Sequence, residues 1–363
     1  GDARSRELVD EGLRILREAW PGEEMRGVDL LRKAVALSPQ DAEAWGLLAV
    51  AWRNVAEGAA PDCVSAAVGE CGIAARRALL IDPRQGHALA ALASIHPYLG
   101  DWHAAEQQLR RVLEVAPDNP TALSHLIMLL QSVGRARDSW DLSERVLAVE
   151  PLSPLHQFRK SFKYWIFGQQ PESELAIDRA LQLWPRHPAV WNGRLYLFAF
   201  NGRFDAARRL LDDPAMRPVG FSPPMQRCWL TSLDALQSRT PAAVASAKAT
   251  LLEAAPRGFA ITAMMVLSVL EELDAVFTIA DGFLLRKGPL IGSLWPAPEQ
   301  MPINDQIWRR TMFLFTPATV AMRRDPRFKV LCDDLGLSRY WQQCGVGPDE
   351  FLLREAALPP RVP

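Results

Sequence analysis

The sequence predicts an all-α protein, a right-handed α-α superhelix (solenoid) of stacked helical hairpins, and three observations carry this prediction. Prolines recur every 34 residues, at Pro83, Pro117, Pro151 and Pro185. Glycines recur 17 residues after each proline, at Gly100, Gly134, Gly168 and Gly202. Between these markers, apolar residues follow the 3.6-residue period of a helix. Neither marker fits a helix interior, so the glycine ends the first helix of each unit and the proline follows the second.

The first part of the chain, residues 1–85, is predicted to form irregular units of the same kind. Arg6 to Trp20 has the pattern of the first helix of a unit. Pro39 marks the end of the second helix of that unit. The spacing from Pro39 to Pro83 is 44 residues, ten more than the period. We expect the excess around Gly58 to Gly72, as a longer loop or a second helix.

Residues 86–214 contain the regular units. Small side chains recur where the two helices of a hairpin must approach closely, at Ala105, Ala180 and Ala207. The second helix of the last unit is cut short by Asp213-Pro214. Residues 1–214 are therefore predicted to be the repeat region.

Residues 215–285 lack the markers but keep the helical pattern, which predicts degenerate hairpins with helices near 225–237, 240–255, 258–270 and 274–285. Thr240-Pro241 is typical of an N-cap followed by proline in the first turn. Residues 286–363 are predicted to be a Pro/Gly-rich crossing segment, C-terminal capping helices and a disordered tail. Phe328, Leu331, Tyr340 and Trp341 are expected to bury against the last hairpin.

A 34-residue helix–turn–helix that ends in proline resembles the tetratricopeptide repeat (TPR) family. The resemblance is strong from about Gly86 to Leu211 and extends back to Pro39. It implies a concave face, lined by the first helix of each unit, that binds proteins or peptides. Stacking is required because a single hairpin cannot bury its apolar stripes alone.

A second resemblance lies near the C-terminus. The run from Met322 to Phe328, together with Leu335-Gly336-Leu337 and Tyr340-Trp341, is similar to the closing segment of bacterial TPR-bearing transcriptional regulators and adenylate cyclase-like proteins. In those proteins a DNA-binding or catalytic domain usually precedes the repeats. The chain begins with Gly1, so we expect the native protein to extend upstream.

Composition excludes several classes of function. The net charge is −1, so no positive field favours nucleic acid. Five cysteines without a Cys-x-x-Cys pair argue against a disulfide framework or zinc site. The longest run without a charged residue or a histidine, Gly258 to Leu270, has 13 residues, whereas a bilayer crossing needs about 20. We expect a cytoplasmic protein, or an extracytoplasmic one if a membrane span lies upstream.

The sequence carries no nucleophile elbow, zinc-binding His-Glu-x-x-His, phosphate loop or dinucleotide fingerprint. The six histidines are scattered, and His96 is expected to be an interior imidazole. The prediction is a non-enzymatic protein with no cofactor and no metal.

What remains is the concave surface. Counting from the markers places an aromatic patch on the fifth and sixth repeats, bordered by cationic side chains that include Lys160 and Arg194. The candidate partner-binding residues are Phe158, Arg159, Phe162, Lys163, Trp165, Asn192 and Tyr196. Such a patch suits an amphipathic helix or an extended peptide with acidic flanks. The alternative is that the chain's own C-terminal helices fill it. If the patch is a surface, Trp165→Glu leaves the protein folded and abolishes partner capture.

The favoured function is a protein–protein interaction scaffold, the sensory or partner-binding arm of a bacterial regulator. Two alternatives remain, a stand-alone adaptor and a superhelix that binds a small molecule in its curve.

Overall fold

The computed structural model describes residues 3–60, 62–95, 101–292 and 311–349. Within these ranges the chain forms nineteen α-helices and no β-strand. The predicted all-α helical-repeat fold is confirmed. In chain order the helices are α1 (Ala3–Glu18), α2 (Glu24–Leu37), α3 (Ala42–Gly58), α4 (Val64–Ile81), α5 (Gly86–Ser94), α6 (Trp102–Val115), α7 (Pro120–Ser132), α8 (Trp140–Val149), α9 (Pro154–Ile166), α10 (Gln170–Leu183), α11 (Pro188–Phe200), α12 (Phe204–Asp212), α13 (Pro223–Ser238), α14 (Pro241–Ala254), α15 (Ala260–Val269), α16 (Leu273–Leu284), α17 (Val320–Arg324), α18 (Arg327–Asp334) and α19 (Leu337–Cys344).

The helices divide into two compact units. Of the described residues, unit 1 takes 3–130 and 137–156, and unit 2 takes 131–136, 157–292 and 311–349. The three-part division at residues 214 and 285 stays a prediction. Gly100, His96, much of the crossing segment (293–310) and the tail (350–363) lie outside the described residues.

The repeat markers lie where the period places them. Helices α4, α6, α8 and α10 each end two residues before the marker proline. Gly134, Gly168 and Gly202 follow α7, α9 and α11 by two residues and have φ of +79°, +70° and +75°. This left-handed conformation costs glycine little and ends a helix readily.

The residue two positions after Pro39, Pro83 and Pro117 caps the next helix. The Asp41 Oδ1 accepts a hydrogen bond from the Ala44 amide at 3.1 Å. Gln85 and Asn119 do the same for Ala88 and Ala122, at 2.8 and 2.9 Å. A side chain that satisfies one of the first free amides stabilises a helix start by about 1 kcal/mol. These three prolines therefore each follow one helix and position the cap of the next.

Unit 1 accommodates the ten extra residues before Pro83 by lengthening a hairpin. Helices α3 and α4 have 17 and 18 residues, whereas α9 and α10 have 13 and 14. Alanines at the α3–α4 contact are almost fully buried, which lets two long helices pack closely. The excess is thus helical, one of the two expected outcomes.

Unit 2 holds α15 as its central helix. The predicted helix within 258–270 is observed as Ala260–Val269, and eight of its residues are buried. Helices α13, α14 and α16 also lie where the periodicity predicts them, and Thr240 caps α14 through the Ala243 amide at 3.3 Å.

Where α9 crosses α10, Ser161 and Ser173 donate hydrogen bonds to each other's carbonyl oxygens at 2.8 Å. Small side chains therefore mark helix crossings here as well.

The C-terminal helices correct one expectation. Phe328, Leu331 and Tyr340 are buried as predicted. However, Tyr340 and Trp341 reach residues 133–135, the turn after α7, and Trp341 is only half-buried. The Arg135 Nη1 donates to the Tyr340 hydroxyl at 2.6 Å, and the Trp341 Nε1 donates to the Val133 carbonyl at 2.9 Å. The C-terminal segment therefore docks within unit 2 on a turn more than 200 residues upstream.

Candidate functional site

Helices α9 and α11 of unit 2 each present aromatic side chains on one face. On α9, Phe158, Phe162 and Trp165 are spaced i, i+4, i+7, so their side chains share a face. On α11, Tyr196 and Phe200 are spaced i, i+4. Both helices begin with a proline, whose fixed φ suits a first turn. Consecutive first helices thus bring two aromatic faces together.

The rings form one continuous set, here called the aromatic cluster. Its members are Phe158, Phe162, Trp165, Tyr196, Phe200, Trp229 and Phe259. Neighbouring ring centroids are 4.7 Å apart for Phe158–Phe162 and 6.0 Å apart for Tyr196–Phe200. Most pairs are tilted or edge-to-face, the arrangement that ring quadrupoles favour.

The cluster has a buried part and a half-buried part. Trp165, Trp229 and Phe259 are 4%, 2% and 6% exposed, so they belong to the core. Phe158, Phe162, Tyr196 and Phe200 are half-buried, so part of each residue stays accessible to solvent. These four residues are the part of the cluster that a partner can reach.

Hydrogen bonds fix the polar ends of two rings. The Trp165 Nε1 donates to the Asn201 Oδ1 at 3.2 Å. The Tyr196 and Thr262 hydroxyls lie 2.6 Å apart and share a hydrogen bond. Burial raises the pKa of Tyr196 above its ordinary value, and the bond to Thr262 opposes that rise. These two hydrogen bonds therefore hold the Trp165 and Tyr196 rings in place.

The close approach of α9 and α11 depends on Gly193. A Cβ at that position would lie 2.5 Å from the Cδ2 of Phe158, well inside van der Waals contact. The Phe158 ring therefore lies on the backbone of α11. The absence of a side chain at Gly193 therefore determines how closely the Phe158 ring approaches the α11 backbone.

The predicted cationic rim is partly wrong. Lys163 is 2% exposed and Arg194 is 3% exposed, so neither borders the cluster at solvent. The Arg194 Nη2 pairs with the Asp178 Oδ1 at 2.8 Å, and its guanidinium lies 3.8 Å from the centroid of the Phe198 ring. Burial lowers the pKa of Arg194, and Asp178 opposes that shift. Lys160 does not border the cluster either, because it lies on the opposite side of α9, where its Nζ is 5.8 Å from the centroid of the Tyr164 ring. Arg159, which is half-buried next to Phe162, is what is left of the rim.

The structure thus brings Phe158, Phe162, Trp165 and Tyr196 into one cluster and leaves Asn192 half-buried on the same helix as Tyr196. Sequence reasoning missed Phe200, although it lies one turn beyond Tyr196. It also missed Trp229, because α13 lacks the markers from which a register could be counted. The burial of Trp165 corrects the expectation that Trp165→Glu leaves the protein folded.

Elsewhere in the described residues, no helix combines the length and apolar character needed to cross a membrane. The five cysteines are free thiols, with Cys63 exposed. Burial raises the pKa of Cys71 and of Cys332 to about 12.

Comparisons with known proteins give similarity in fold only. No family model matches the chain, and no curated protein matches it. Among solved structures, a tetratricopeptide repeat protein from Parabacteroides merdae is similar at TM-score 0.42 and 16% identity, covering 70% of this chain and 93% of that one.

Two further solved structures are similar over 94% of this chain. Yeast Tom70 has a TM-score of 0.39 at 13% identity, with 68% of its own chain covered. The P58(IPK) TPR domain has a TM-score of 0.25 at 12% identity, with 99% of its chain covered. These likenesses provide no correspondence between individual residues.

Proposed function

We propose that this chain is a TPR-type protein–protein interaction scaffold, without enzymatic activity, that binds a peptide or helix on the half-buried part of the aromatic cluster. The observation that carries this is the continuous, preorganised set formed by Phe158, Phe162, Tyr196 and Phe200, which is still partly open to solvent. Rigid aromatic rings contribute large contact area at low entropic cost, which is why they dominate binding surfaces.

The expected partner has an apolar face and acidic flanks. Arg159 stands on the side of α9 next to Phe162 and favours negative charge beside the rings. An amphipathic helix would place residues spaced i, i+3, i+4 and i+7 on the rings. Direct binding of nucleic acid is not proposed, since the chain carries a net charge of −1.

In its biological setting, we propose that the scaffold is the partner-binding arm of a bacterial transcriptional regulator. The support is the resemblance of the segment from Met322 to Trp341 to the closing segment of such proteins. A free-standing adaptor is the alternative, and the mass of the native protein distinguishes the two.

The test is a peptide-display selection carried out in parallel on the wild type and on Phe162→Ser. Leu175→Ser is the matched control, because Leu175 is 73% exposed on α10 and lies outside the cluster. We expect the wild type and the control to enrich the same acidic amphipathic peptides, and Phe162→Ser to enrich none. Equal enrichment on all three proteins would contradict the proposal.

A further inference from the structure

Helices α5 and α7 of unit 1 are linked through one histidine. The imidazole Nδ1 of His87, in the first turn of α5, lies 3.3 Å from the Nδ2 of Asn119, the residue directly before α7. His87 is half-buried and Asn119 is 7% exposed. Both helices are the first helix of a repeat, so the contact connects one repeat to the next. This pair of side chains is called the α5–α7 joint below.

The Asn119 side chain takes a single orientation at this joint. Its Oδ1 accepts the hydrogen bond from the Ala122 amide at 2.9 Å that caps α7. An amide NH2 group cannot accept that bond, so the oxygen must face α7 and the Nδ2 must face His87. Because Nδ2 is a donor, the Nδ1 of His87 has to be the acceptor and carries no proton. The joint therefore selects a neutral imidazole with its proton on Nε2.

The backbone around the joint is tightly packed. A Cβ at Gly86 would lie 2.6 Å from the Cβ of Ala116 and 3.3 Å from the Nδ2 of Asn119, so the start of α5 rests on the segment before α7. Gln85 holds the start of α5 as well, through its cap on the Ala88 amide. Since both helix starts are capped, the imidazole ring is the part of the joint that turns most easily, about its own side-chain bonds.

Two carboxylates act on the same imidazole. Among the described residues these are Glu43 on α3 and Glu150 after α8, and each favours a charged His87. Both already have a cationic partner. The Glu43 Oε2 accepts a hydrogen bond from the Arg6 Nη1 at 3.1 Å, and the Glu150 Oε1 lies 3.8 Å from the Arg17 Nε. Their pull on a proton at His87 is therefore shared with the two arginines.

We propose that the α5–α7 joint is a pH-sensitive switch, in which protonation of His87 breaks its hydrogen bond to Asn119 and turns the imidazolium toward Glu43 and Glu150. A proton on Nδ1 sets two donors against each other, so the bond to Asn119 is lost. The charged ring is attracted by the two carboxylates. With a neutral ring, α5 is tied to the residue that caps α7, and with a charged ring this tie is released.

The direction of the pH effect follows from burial. Burial lowers the pKa of His87 below its ordinary value of 6.5, and Glu43 and Glu150 oppose that shift. As the pH falls, the unfolded chain therefore takes up a proton at this histidine before the folded chain does. The contribution of His87 to stability is complete above about pH 6.5 and decreases as the pH falls below that value.

A histidine NMR titration of the full chain, with 13C at Cε1, tests the switch. The signal that is missing in His87→Gln identifies the residue, and we expect its midpoint to lie below 6.5 in the wild type. Asn119→Asp keeps an acceptor for the Ala122 amide but replaces the donor that faces the imidazole by a carboxylate oxygen. It should therefore move the His87 midpoint upward. His103→Gln is the control, because His103 lies on α6 with its ring 2.8 Å from the Gln107 Nε2, and it should leave that midpoint unchanged.

Two further measurements test the turn of the ring and the release of the joint. Glu43→Gln should lower the His87 midpoint further, because it removes a carboxylate that favours the charged ring. The drop in Tm between about pH 7 and pH 5 should be smaller for His87→Gln than for the wild type and His103→Gln. A wild-type midpoint at or above 6.5 would overturn the proposal, as would a midpoint unmoved by Asn119→Asp or by Glu43→Gln, or equal drops in Tm.

Discussion

Helix α5 of unit 1 and helix α9 of unit 2 are each the first helix of a repeat, but they differ in the size and burial of the side chains at the same repeat positions. Positions are counted here from the first residue of each helix, Gly86 in α5 and Pro154 in α9. At the fifth and ninth positions, α5 of unit 1 carries Ala90 and Ser94, both fully buried. At the same positions, α9 of unit 2 carries Phe158 and Phe162, which are half-buried. The helical frame is shared, so the side chains decide whether this face is closed or open to a partner.

Close approach explains the closed face of unit 1. A Cβ at Gly46 of α3 would be 2.3 Å from the Oε1 of Gln85, the residue that caps α5. A Cβ at Gly86 would be 2.6 Å from the Cβ of Ala116. Small residues let these helices approach closely, whereas the half-buried rings of unit 2 keep part of their surface open to solvent. The proposed partner surface therefore lies in unit 2.

The largest expected effect on stability comes from a charge placed in the buried part of the aromatic cluster. Trp165→Glu removes a ring that is 4% exposed and puts a carboxylate among aromatic neighbours. We expect a loss of about 3–5 kcal/mol in the free energy of unfolding, measured by urea denaturation. Phe158→Ser, at a half-buried ring, should cost less than half as much. Equal losses would mean that the whole cluster is core.

A second variant tests the C-terminal docking within unit 2. Gly134 has positive φ, and a Cβ there would lie 2.8 Å from the Pro348 Cβ and 2.9 Å from the Phe315 Cε1. Gly134→Ala should therefore cost about 2–3 kcal/mol. Gly202→Ala is the matched control, with similar φ and no atom within 4 Å, and should cost about 1 kcal/mol. Thermal denaturation of both variants gives the difference, and no difference would mean that the docked segment adds no rigidity.

A third pair of variants compares glycines in the two units. Gly46→Ala should cost about 1 kcal/mol, because the Gln85 side chain must move and its cap on α5 weakens. Gly193→Ala should cost about 1–2 kcal/mol, because the Phe158 ring must move. Only Gly193→Ala should also lower the affinity for a peptide selected on the wild type, which fluorescence anisotropy measures. Loss of peptide binding by Gly46→Ala would place the binding face in unit 1.

The smallest effect expected is a pH dependence. The pKa of Tyr196 is raised by burial, so the folded state keeps its proton when the unfolded chain, with an ordinary pKa near 10, has lost it. Stability is therefore unaffected below about pH 10 and falls as the pH rises above it. Tyr196→Phe should show a shallower fall in Tm between about pH 9.5 and 11 than the wild type. Parallel curves would mean that the hydroxyl is accessible to solvent.

Much of the fold follows from the sequence because its signals are local. The marker prolines and glycines lie at helix ends, so the 34-residue period predicts the hairpins of the regular units directly. The C-terminal docking could not be predicted, because the contact between Arg135 and Tyr340 joins positions 205 residues apart and no local pattern records it.

The aromatic part of the site was predictable from repeat positions, whereas its charges were not. Repeat positions say which face a residue occupies, but Lys163 and Arg194 have long side chains that reach the interior, and Arg194 does so because Asp178 of α10 pairs with it. The side of a helix on which a long cation ends depends on its neighbours in space.

Hydrogen exchange with and without a selected acidic amphipathic peptide tests the central claim most directly. The account predicts slower exchange within 157–166 and 188–200 of unit 2, with no change in α3 or α5 of unit 1. Slower exchange in α3 and α5, with none in α9 or α11, would contradict it.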